Sequence, residues 1–186
     1  MSRKRVFLTV VIGAAAAIVT WAWSPWVPLR YKGDGKFADQ GFPSYPRYSV
    51  TFADIPLYEV SERHFHFRGL PDEEMGLRLY VRDRQVNSMA DRAPLENLPV
   101  TIEAILTDDK GRVNCHVSGR PAPSNEPGVW VLMSGGRAAY WQHGCNEVRV
   151  YPNRAYELTM RVTNVGPGNE KVVVAPMLTG GGEELP

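Results

Sequence analysis

An excess of charge of either sign is missing from this chain: 21 Lys and Arg face 20 Asp and Glu, for a formal net charge of +1. That balance excludes the broad basic footprint of a nucleic-acid-binding protein. With no acidic or basic tail, it also gives no argument for a strongly charged partner. Cysteine is scarce at two residues, Cys115 and Cys145, which rules out a disulfide-rich scaffold. Neither has a second cysteine a few positions away, so their spacing argues against a zinc site. Phosphate loops and dinucleotide fingerprints are absent. Ser134 lies in Leu132-Met133-Ser134-Gly135-Gly136, without the glycine two residues earlier that a nucleophile elbow requires. Asp108 and Asp109 read as solvated turn acids. No residue is assigned a catalytic role, and no cofactor or metal is anticipated.

The chain does contain one long apolar run. Ser2, Arg3, Lys4 and Arg5 precede an uncharged segment from Val6 to Trp23. As a helix it would rise about 27 Å, just short of the roughly 30 Å hydrocarbon core of a bilayer. The basic tip belongs in the cytoplasm, so the chain beyond the apolar run is expected outside it. Trp21, Trp23 and Trp26 stand where indole rings favour the outer interface, and Pro25 and Pro28 stop a helix there. The segment therefore reads as a retained single-pass anchor, with a cleaved signal peptide as the alternative. In an oxidising compartment the two cysteines read as one disulfide, Cys115 to Cys145.

The rest divides into a linker at 24–46, rich in proline and glycine, a domain at 47–180, and a tail at 181–186. Within the domain, period-two alternation dominates, the mark of half-buried strands. Tyr48, Val50 and Phe52 share one face. Phe65 and Phe67 oppose His64, His66 and Arg68, while Leu77, Leu79 and Val81 oppose Arg78, Tyr80 and Arg82. Val100, Ile102, Ala104 and Leu106 form a third inward set, and Val113, Cys115 and Val117 are expected to return beside them after the turn at 108–111. Tyr156, Leu158, Met160 and Val162 form another. With 17 glycines and 15 prolines marking turns, and no amphipathic helix beyond the anchor, the expectation is all-β: an antiparallel two-sheet sandwich.

One stretch supports this by resemblance. Val148 and Val150, the turn at Pro152, and then Tyr156-x-Leu158-x-Met160-x-Val162 resemble the tyrosine corner of immunoglobulin-like sandwiches, which implies a sandwich. The cysteines depart from that pattern, since neither lies just after Tyr156.

Two surface groups are candidates for binding. His64, His66 and Arg68, with Arg78, Tyr80 and Arg82, would share the outward face of one hairpin and make it cationic, suited to an anionic ligand or acidic partner. Trp130, Tyr140 and Trp141 are the aromatic alternative, able to stack on a sugar or anchor a protein. The expected function is that of a non-enzymatic protein-binding or envelope-assembly module held at the outer side of the cytoplasmic membrane. A carbohydrate- or small-ligand-binding domain, and a periplasmic inhibitor or immunity-type protein, are the alternatives.

Overall fold

The computed structural model describes residues 30–39, 48–82, 98–123, 129–134, 137–138, 148–167 and 172–180; for residues 123, 129–131, 133–134 and 137–138 it describes the backbone alone. The anticipated anchor at 6–23 lies outside these residues.

Thirteen strands occur among them. β1 (Lys32–Gly33) and β2 (Lys36–Asp39) are followed by β3 (Tyr48–Thr51), β4 (Ile55–Pro56), β5 (Ser61–Arg68) and β6 (Glu73–Val81). Then come β7 (Thr101–Asp108), β8 (Val113–Pro123), β9 (Val129–Ser134), β10 (Arg137–Ala138), β11 (Arg149–Val150), β12 (Ala155–Thr163) and β13 (Val173–Gly180). Hydrogen bonding runs along the order β1-β5-β12-β7-β8-β9-β6-β13-β3-β2, with every pairing antiparallel. The fold is an all-β sandwich of two antiparallel sheets, one of them curled.

The two sheets meet through one strand. Residues 113–119 of β8 pair with β7, whereas residues 120–123 pair with β9. A strand that bends from one sheet into the next makes a corner of this kind. The first sheet is thus β1-β5-β12-β7-β8, and the second continues from β8 through β9, β6, β13, β3 and β2.

The inward residues meet between them. Phe52, beside the second sheet, packs on Phe65 and Phe67 of the first, with ring centroids 4.8 and 5.6 Å apart. Phe67 stacks in turn on Tyr156 at 5.8 Å. Leu79, Ile102, Leu106, Leu158 and Met160 are fully buried around them. Each such side chain stabilises the fold by about 1.5–3 kcal/mol through burial alone. The alternation read from the sequence matches these burials at β5, β6, β7 and β12.

Three features differ from the sequence reading. β5 and β6 are not a hairpin: β5 pairs with β1 and β12 in the first sheet, β6 with β9, β13 and β11 in or beside the second. The period-two pattern gave each strand its inner face but not its neighbour. Val113 is exposed, because Leu106 pairs with Cys115 while Thr107 pairs with Val113. That bulge inserts one residue and flips the phase of the strand.

The third difference lies in the stretch expected as a linker. Lys32–Gly33 and Lys36–Asp39 are strands, and they pair with opposite ends of the strand path: β1 with β5, β2 with β3. The chain between them therefore clips the two sheets together along their open side. Asp34 secures the clip at His66, taking the His66 N–H on Oδ2 and donating its own N–H to the His66 carbonyl, both at 2.8 Å. Two glycines let the backbones approach. A Cβ on Gly33 would strike the His66 carbonyl oxygen, one on Gly69 the Arg30 carbonyl, and both glycines have positive φ, at 139° and 81°.

Candidate functional site

The outward face of the first sheet carries a connected set of charged side chains across four strands. Register builds it. Glu62 on β5, Arg161 on β12 and Glu103 on β7 stand in one row across the sheet. His64, Thr159, Ile105 and His116 form the next row, and His66, Glu157 and Thr107 the one after. Side chains opposed or diagonal across strands are within reach of each other, and here they engage.

Arg161 donates from Nε to Glu62 at 2.9 Å and from Nη1 to Glu103 at 3.1 Å, so one guanidinium separates two carboxylates. Beyond Glu103, His116 Nε2 lies 2.7 Å from its Oε1. On the other flank, His64 sits between two carboxylates, with Nδ1 2.7 Å from Glu157 and Nε2 3.0 Å from Glu62. His66 Nδ1 approaches the second oxygen of Glu157 at 3.8 Å. A continuous series results: His66, Glu157, His64, Glu62, Arg161, Glu103, His116.

The carboxyls respond to these partners. Glu62 is held below its ordinary range first by the hydrogen bond from Arg161, Glu103 first by that from His116, and Glu157 first by that from His64. Three carboxylates against one guanidinium leave the series net negative while the imidazoles are neutral. Protonating all three imidazoles turns it net positive. A neutral His64 can donate to one of its two carboxylates at a time, whereas the imidazolium donates to both.

At the end of the same sheet, Asp108 is buried, although it was read as a solvated turn acid. It accepts the N–H groups of Lys110 and Arg112 at 3.0 Å, Arg112 Nη2 at 2.7 Å and Arg154 Nη1 at 2.9 Å. The hydrogen bonds from Arg112 are the main reason its carboxyl is pulled from 3.8 down to about 2. This cluster ties the β7–β8 turn to the approach to β12 and serves the fold.

The six residues read as one cationic face are divided. His64, His66 and Arg68 are outward on the first sheet, and Arg78, Tyr80 and Arg82 are on β6 or next to it in the second. The separation of β5 from β6 is the physical reason. Neither half is bare of acid: Glu157 and Glu62 serve the histidines, and Arg82 pairs with Asp54 at 2.7 Å while lying 5.7 Å from the Tyr80 ring centre. Trp130 lies on β9, opposite Leu79, with only its backbone described, and Tyr140 and Trp141 fall outside the described residues. Cys115 is buried and none of the described cysteines is free, while Cys145 lies outside them.

Glu62, Glu103, His116, Glu157 and Arg161 were not singled out from the sequence. Alternation marks each as outward, but only the β5-β12-β7-β8 order makes them neighbours. No protein-family model matches the chain, and no curated protein matches it.

Proposed function

We propose that the protein is a membrane-anchored, extracytoplasmic, non-enzymatic module that binds a protein partner across the outward face of its first sheet. The observation that carries this reading is the series from His66 to His116, which places seven ionisable side chains in mutual contact on one open surface. Charge arranged in rows steers and registers a partner of complementary charge. The run Val6–Trp23 behind a basic tip supports the anchor and the extracytoplasmic placement. A Cys115–Cys145 bridge fits the same compartment.

Site-specific photo-crosslinking in membranes tests the reading. Crosslinkers at Ser118 and Ala155, exposed on this face, are expected to give a discrete protein adduct. Crosslinkers at Tyr58 and Tyr80, exposed elsewhere, are not. Equal labelling from both sets, or none from the first, overturns the assignment of this face. Release of the chain by a carbonate wash overturns the anchor.

A further inference from the structure

On the outward face of the first sheet each carboxylate of the series is met by a guanidinium or an imidazole of its own or the next row, but the row that begins with β1 holds two cations side by side. There Lys32 stands directly opposite Arg68, and Arg68 opposite Ala155. Directly opposed side chains are about 4.5–5.5 Å apart at Cβ, and like charges in that position destabilise a sheet. The neighbouring Arg154 is a further cation, and its own charge is met by Asp108. Among the described residues neither Lys32 nor Arg68 forms an ion pair, although Arg112, Arg154 and Arg161 each do. The clip that closes the sandwich thus brings a second cation against Arg68, with neither ion-paired among the described residues.

The two cations line an open groove of about 530 Å³, within the size range of small-ligand sites. On the far side of β12 the same groove is lined by Thr107 and Asp109, with Glu157 on β12 itself. Two strand spacings, roughly 10 Å, separate β5 from β7. The groove therefore offers a cationic end at β1 and β5 and, across β12, a set of hydrogen-bond acceptors that the long Arg68 side chain can approach.

We propose that this groove binds an acidic sugar: one carboxylate or phosphate held by Lys32 and Arg68, with hydroxyl groups donating to Thr107, Asp109 and Glu157. Arginine and lysine suit such an acid group. Asp109 and Glu157 at the other end select donors and disfavour polyanions. The groove shares His66, Ala155 and Glu157 with the face proposed for the protein partner, but the sugar titration is read on the chain alone, so its failure is distinguishable from a failure of that reading.

Calorimetric titration of the full chain in detergent micelles at low salt tests the proposal, with glucuronate and glucose 6-phosphate as the probes. At least one is expected to bind with a dissociation constant near 1 mM or tighter, and about tenfold more tightly than glucose, acetate or inorganic phosphate. Which probe binds identifies the acid group. The double variant Lys32→Gln/Arg68→Gln should lose about tenfold or more, while Arg120→Gln, exposed on the second-sheet half of β8, should not. A chain with an unchanged melting temperature and unchanged affinity in the double variant overturns the site. So does binding of neither probe, or binding of bare acetate or phosphate as tightly as the sugars.

Discussion

The backbone N–H of Tyr151 donates to the hydroxyl of Tyr156 at 2.9 Å, across the turn that leads into β12. Tyr156 is buried, with its ring stacked on Phe67, so the hydroxyl pins the turn to the core. A tyrosine hydroxyl bonded back to the backbone a few residues upstream is the defining contact of a tyrosine corner. Tyr156→Phe keeps the ring and removes the acceptor, and leaving a donor unsatisfied costs about 1–3 kcal/mol. Chemical denaturation should show a loss of that size with an unchanged m-value.

Asp108 makes stability sensitive to acid. Its carboxyl is depressed to about 2 in the folded chain from an ordinary 3.8. The unfolded chain therefore binds more protons in that window, and the stabilisation is complete above about pH 4 and lost as pH falls toward 2. Wild type should lose melting temperature steeply between these values. Asp108→Asn should be less stable at neutral pH and distinctly flatter below pH 4; parallel profiles would contradict this.

Gly33 is the test of the clip. Gly33→Ala places a methyl group against the His66 carbonyl at a φ that L residues avoid. Strain of that kind costs about 1–3 kcal/mol. Hydrogen exchange should quicken at the amides of Asp34 and His66 before the rest of β5 changes. A variant with native protection at both amides would show that the clip tolerates a side chain.

The bulge at the start of β8 separates two valines that the sequence pattern places together. Val113 is 61% exposed and Val117 only 4%. Val113→Ala should change stability by no more than about 0.5 kcal/mol. Val117→Ala gives up part of a burial worth about 1.5–3 kcal/mol and should be visibly destabilised in urea melts. Equal effects would remove the bulge.

Reduction offers a fifth test. If Cys115 and Cys145 are bridged, reductant should lower stability by about 3–4 kcal/mol in the chain-entropy account. An unchanged melting temperature accompanied by two titratable thiols would argue for unlinked cysteines.

Much of the fold was legible in the sequence because side-chain alternation is local. Phe65 and Phe67 against His64 and His66, or Leu158 and Met160 against Glu157, declare their faces through the pleat alone. The tyrosine corner was readable for the same reason, being set within six residues.

What the sequence by itself determined is which side of its strand most residues occupy: the inward sets of β5, β6, β7 and β12, and the outward placement of the histidines and their acids. What only the tertiary structure decided is adjacency. β5 pairs with β12, nearly ninety positions away in the chain, rather than with the next strand, so His64 meets Glu157 and not Arg78. Lys32 reaches Arg68 because two glycines let the backbones approach. Period-two patterning says nothing about such pairings. They follow from how the sheets close around one shared core, and every strand with an apolar face is an equally good partner until that core forms.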